Sequence, residues 1–128
     1  ILRAKSEIKL LLGQDPHLLH RKNILPILEV VHSQTCISYT MEQFGMNLLE
    51  FSTNMNENVN VHDKNTRKVI TTIRDALQHI HYLGYAHRDV KSENILVHTA
   101  SKNSSHITDV RLIDFGVVGR LDDEESMA

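Results

Sequence analysis

His87-Arg88-Asp89-Val90-Lys91-Ser92-Glu93-Asn94, with Asp114-Phe115-Gly116 further along the chain, is the stretch on which both fold and chemistry turn. It offers an Asp able to take a proton, a nearby Lys, and then an Asn and a second Asp able to hold a divalent cation. Those are the residue types that moving a γ-phosphoryl group requires, because that chemistry rests on positioned charge more than on a covalent nucleophile. A single Asp or Asn at such a place is ordinarily a turn cap. The ordered set of Asp89, Lys91, Asn94 and Asp114 is what points to phosphate transfer.

The flanking pattern places this stretch between a helix and two strands. Val69, Ile70, Ile73, Ala76, Leu77, Ile80 and Leu83 recur at three- and four-residue steps, which predicts a helix from about residue 66 to Gly84, capped by Asp63 or Asn65. Residues 95–97 and 110–113 read as short apolar strands, joined by a polar segment too long for a tight hairpin turn. Upstream, residues 1–12 have helical spacing with one apolar face, closed by Gly13, and residues 14–23 read as a polar connector broken at Asp15-Pro16. Residues 24–31 and 36–41 suggest an antiparallel pair, with Pro26 weakening the first strand or placing it near an edge. A connection over 42–47 containing Gly45, a short helix near 48–51 and a mobile surface loop over 52–64 complete the expected order.

Composition bounds the partners. Net charge is −2, from 14 Lys+Arg against 16 Asp+Glu, so no basic field is present to recruit nucleic acid by counterion release, and acidic substrates are not favoured. No apolar run approaches membrane-spanning length, and the N-terminus lacks a signal-peptide pattern. The single cysteine, Cys36, cannot form an internal disulfide, fits a reducing compartment and reads as a small core residue in a strand. Nine histidines invite a metal site, but there is no His-Glu-x-x-His helix and only one Cys, so zinc-site spacing is missing and surface or partly packed histidines are expected. The acidic run at 122–125 reads as solvated loop.

Taken together, His87, Arg88, Asp89, Lys91, Asn94, Asp114, Phe115 and Gly116 closely resemble the catalytic loop and metal-binding turn of eukaryotic protein kinases. The resemblance implies an α+β, protein-kinase-like two-lobe fold, of which the chain carries the central portion: residues 1–41 in the small lobe, 42–47 as hinge and 48–128 as the start of the large lobe through the beginning of the activation segment. It implies that Asp89 accepts or orients the proton of the substrate hydroxyl, and that Lys91 lies against the γ-phosphate in the manner of serine/threonine kinases. Ser92 departs from the proline common at that point, a change several serine/threonine groups share. Asn94 and Asp114 would hold the Mg²⁺ that bridges the ATP phosphates. Arg88 would pair with a phosphorylated activation segment as a regulatory contact, while His87 and Phe115 would be packing elements between the lobes.

On the same resemblance, Glu7 matches the glutamate that pairs with the ATP-binding lysine of the small lobe, an exposed helix-face Glu being the alternative. Met41 would be the gatekeeper, the Glu42 carbonyl and Phe44 amide would meet the adenine, and Leu96 would close the other face of the ring. Each of these four could equally be plain core. The implied activity is ATP-dependent phosphoryl transfer to Ser/Thr hydroxyls of protein substrates inside the cell, in cytoplasm or nucleus, with a regulatory protein as a further partner and neither nucleic acid nor membrane. The alternative is a catalytically silent kinase-fold module that binds nucleotide or acts allosterically. The chain opens on Ile1 and lacks the Gly-rich loop, the ATP-binding lysine and the Ala-Pro-Glu motif, so it reads as an excerpt. Alone, it is expected neither to fold cooperatively nor to transfer phosphate.

Overall fold

The computed structural model describes residues 10–54, 59–114 and 119–120. Residues 10–12 are helical and bury Leu10 and Leu11; the rest of the helix expected over 1–12, with Glu7, lies outside the described residues. Next comes a helix that the sequence reading passed over as connector, α1 (Pro16–Arg21). Its start is the Asp15-Pro16 pair taken for a break. Asp15 is extended and its carboxylate accepts from the His17 N–H at 3.0 Å, while Pro16 stands in the first turn, where a missing N–H costs nothing.

β1 (Ile27–His32) and β2 (Ile37–Met41) form the expected antiparallel pair, with an irregularity between Ile27 and Glu29. Two strands leave both as edges, and Pro26 sits buried just ahead of β1, where it costs no ladder bond. Cys36 is not core as expected. It is exposed in the β1–β2 turn, its Sγ 3.3 Å from the Ser33 Oγ. The connection after β2 contains a short strand, β3 (Met46–Asn47), which leads into α2 (Leu48–Asn54).

The long helix is α3 (Val59–Tyr82), so most of the stretch read as a mobile loop is helical, and neither Asp63 nor Asn65 is its cap. Polarity misled here. Asn65 is a buried interior residue whose amide is satisfied by the distant segment 105–107 rather than by its own helix start. The far end is as read: Leu83 and Gly84 donate to the His79 and His81 carbonyls, and Gly84 takes φ +88°, which favours glycine. β4 (Tyr85–Ala86), a short 3₁₀ turn (Ser92–Asn94), β5 (Ile95–Thr99), β6 (Ile107–Leu112) and β7 (Gly119–Arg120) follow.

β3, β5 and β6 make one antiparallel sheet in that order, and β4 pairs with β7. Val69, Ile73, Ala76 and Ile80 of α3 pack with Phe51 of α2 and with Ile95, Val97, Ile107, Val110 and Leu112 of the sheet. Each Val, Ile, Leu or Phe among them contributes about 1.5–3 kcal/mol on leaving water. Leu19 and Ile24 join the same core, and Ile24 bridges to Leu112 in parallel, so the segment after α1 is fastened directly to β6. One apolar face of α3 stays open: Ile70 is exposed, and with Ile73, Leu77, Val90 and Ile95 it lines a groove of about 610 Å³.

Candidate active site

β4 leaves α3 through Gly84 and delivers His87, which is buried and bonded at both ring nitrogens. Nε2 donates to the Ile113 carbonyl at 2.9 Å, and Nδ1 accepts from the Asp89 N–H at 3.1 Å. A carbonyl can only accept, so the proton is on Nε2 and the lone pair on Nδ1. His87 is therefore a polar brace between two backbone segments, where packing alone was expected. Arg88, between these contacts, takes φ +68°, and its side chain is exposed.

The 3₁₀ turn brings Asn94 under the loop. Asn94 is buried, and its Nδ2 donates to the Asp89 carbonyl at 2.9 Å and to Asp89 Oδ2 at 3.2 Å. The other carboxylate oxygen of Asp89 lies 3.8 Å from Lys91 Nζ. Both side chains are partly exposed, so this pair orients the lysine more than it stabilises the fold. Asn94 also acts through its backbone, its carbonyl accepting from the Ile113 N–H at 3.0 Å.

Ile113 is thus tied at its N–H to Asn94 and at its carbonyl to His87, which fixes the next residue, Asp114, beside the loop carrying Asp89. Asp114 takes φ +61°. Two non-glycine residues in the left-handed region, at roughly 1–2 kcal/mol apiece, flank the braces that hold them there. Phe115 and Gly116 lie outside the described residues, as does the acidic run at 122–125.

Among the described residues no three His, Cys, Asp or Glu side chains converge on a common point. One carboxylate with one amide nevertheless suits Mg²⁺, which retains water and takes phosphate oxygens as ligands. Because Nδ2 of Asn94 is committed to Asp89, its Oδ1 is the side-chain atom that could meet a cation.

The residues expected to meet a nucleotide fall on β2, the following connection and β5. Met41 ends β2 half-buried; Glu42 is exposed, its carboxylate 3.6 Å from His20 Nε2. Leu96 is half-buried on β5, paired in register with Asn47 and Arg111. Phe44 is buried with its ring stacked on His98 at 3.9 Å and beneath the Arg111 guanidinium at 4.9 Å. Sequence reasoning missed His98, Arg111 and His20, and missed the tie of Asn65 to segment 105–107. Their partners are distant in the chain, and no local spacing announces them.

A loop that buries its His and Asn, leaves its Asp partly exposed and is braced through Ile113 next to a second Asp, between a long helix and a small antiparallel sheet, defines a protein-kinase-like fold. A family model described as protein kinase domain matches residues 3–128, and the chain belongs to that family. Among curated proteins it is similar to the hormonally up-regulated neu tumor-associated kinase homolog of Xenopus tropicalis, 29% identical over 106 residues, covering 82% of this chain and 14% of that protein. The human hormonally up-regulated neu tumor-associated kinase is 27% identical over the same length, covering 82% and 13%. A protein of Acanthamoeba polyphaga mimivirus named as a serine/threonine-protein kinase is 28% identical over 143 residues, covering 96% and 32%. The chain therefore spans a minor part of the length of the relatives it matches. Among the described residues no helix is long and apolar enough to cross a membrane.

Proposed function

We propose that these residues form the central part of an ATP- and Mg²⁺-dependent protein kinase acting on Ser/Thr hydroxyls of protein substrates inside the cell. The observation that carries the reading is the pair of hydrogen bonds that Asn94 Nδ2 donates to the carbonyl and carboxylate of Asp89, on a loop whose braces through Ile113 also seat Asp114. Residues 42–47 act as hinge, with Met41, Glu42, Phe44 and Leu96 around the base and Glu7 as the partner of the ATP-binding lysine.

In this reading Asp89 receives or orients the proton of the substrate hydroxyl, with Asn94 holding its carboxylate in place. Lys91 balances charge on the transferred group. Asn94 and Asp114 hold the Mg²⁺, which when bound neutralises the phosphate oxygens. Arg88, an exposed residue of the loop, pairs in this reading with a phosphorylated activation segment. The Lys two positions past Asp89 and the name of the mimiviral relative support Ser/Thr over Tyr as acceptor.

The test is Asp89→Asn in the intact protein, assayed with radiolabelled ATP, a generic protein substrate and phosphoamino-acid analysis. Transfer should fall by at least about 100-fold with nucleotide affinity retained, and the wild-type label should appear on Ser and Thr. Wild-type protein that binds ATP without transferring phosphate would favour a silent, nucleotide-binding module instead.

A further inference from the structure

The connection after β2 is gripped by the large-lobe sheet through one ring. Glu42, Gln43 and Gly45 are exposed, and Phe44 between them is 7% exposed. Its ring lies nearly parallel to that of His98 on β5, at 3.9 Å between centroids and 11° between planes. Arg111 on β6 places its guanidinium carbon 4.9 Å from the same centroid.

Arg111 is itself held by this ring. Its Nη1 donates to the Val110 carbonyl at 2.9 Å and reaches Asn23 Oδ1 at 3.5 Å, while its buried Nε has no hydrogen-bond partner among the described residues. A buried donor without a partner is costly, and the π-face of Phe44 is the compensating contact for the cation. Immediately after the ring the backbone presses on β5: a Cβ at Gly45 would collide with the Val97 carbonyl. On its outer side the segment has the exposed Glu42–His20 pair, a weak tether.

We propose that His98 and Arg111 are positioning residues that clamp Phe44 and thereby fix the backbone of residues 42–45 at the distance and angle from which it meets a nucleotide base. The proposal rests on the hinge reading given above. His98 touches no base; it acts through Phe44.

In the intact protein, His98→Ala removes the stacked partner and His98→Phe restores an aromatic face without the imidazole. An aromatic pair of this kind corresponds to about a 2- to 10-fold change in an equilibrium constant. For His98→Ala we expect Kd and KM for ATP to rise by about that factor, kcat at saturating ATP to hold, and hydrogen exchange at the Phe44 and Gly45 amides to quicken. His98→Phe should return all three toward wild type. An unchanged ATP affinity in His98→Ala, or His98→Phe as impaired as the alanine variant, overturns the proposal. The exchange readout needs no nucleotide. Wild-type protein that binds no ATP overturns the hinge reading, whereas exchange unaltered by His98→Ala overturns the clamp itself.

Discussion

The Ile107 N–H donates to Asn65 Oδ1 at 3.0 Å across 42 positions of sequence, and Asn65 Nδ2 donates to the Ser105 carbonyl at 2.7 Å. One buried amide thus closes the β5–β6 connection onto α3. Asn65→Leu removes both bonds and leaves the buried Ile107 N–H and the part-buried Ser105 carbonyl to find other partners, at about 1–3 kcal/mol. The denaturant midpoint of the intact protein should drop accordingly with the slope unchanged. A midpoint equal to wild type would show the amide to be dispensable.

The same residue explains where sequence reading stopped. A run of Asn, Thr, Glu and Asp looks like loop because those side chains compete locally for the backbone. Asn65 instead spends its polarity on segment 105–107, and helix α3 continues through it. Asp15-Pro16 failed for the opposite reason, a break signal being also a start signal when Asp caps and Pro leads. The α3 core positions, the β1–β2 pair, the strand character of β5 and β6 and the loop from His87 to Asn94 were legible, since their periodicity and spacing are local. The His87–Ile113 brace and the Phe44 stack were not, because each depends on which distant strand arrives alongside; Cys36 was misplaced because the turn closes on it through Ser33 and the strand begins one residue later, at Ile37.

In the proposed reading Asn94 has two duties, holding Asp89 and meeting the cation, that a substitution can separate. Asn94→Asp keeps an oxygen for a cation but replaces the donor to Asp89 by a second carboxylate, so like charges face each other where a bond of 3.2 Å stood. Transfer should fall by at least about 10-fold, with the Mg²⁺ concentration for half-maximal activity displaced from wild type. Titrating Mg²⁺ against activity of the intact variant measures this. An identical Mg²⁺ curve would remove Asn94 from the cation site.

Gly45 has φ +47° and no room for a side chain. The obstacle is the backbone of Val97, which cannot rotate away as a flexible side chain would. Gly45→Ala therefore adds about 1–2 kcal/mol for the left-handed conformation to the displacement of β3 from β5. Thermal unfolding of the variant should shift downward by several degrees, on the order of 2–4 °C per kcal/mol for a domain of ordinary kinase size. A variant melting with the wild type would mean that β3 re-pairs at no cost.

His79 gives the fold a pH dependence whose sign follows from its surroundings. It stands in the last turn of α3, where the helix dipole favours a cation. Burial, and then the charge of Lys22, win over that effect and lower its pKa from the ordinary 6.5. Arg21, Lys22, Asp75 and Tyr82 line the cavity beside it, and Asp75 is already engaged by Arg74 at 3.3 Å. A lowered folded pKa means that the unfolded chain binds more protons between the folded value and 6.5, so stability is full above 6.5 and is lost as the pH falls through the folded value. Lys22→Gln should move the His79 pKa back up and shrink that loss, and His79→Gln should abolish this component. NMR titration of the imidazole in the intact protein, assigned by difference with His79→Gln, reads the shift directly. A His79 that titrates at or above 6.5 in the folded protein would refute the assignment of burial and Lys22 as the dominant effects.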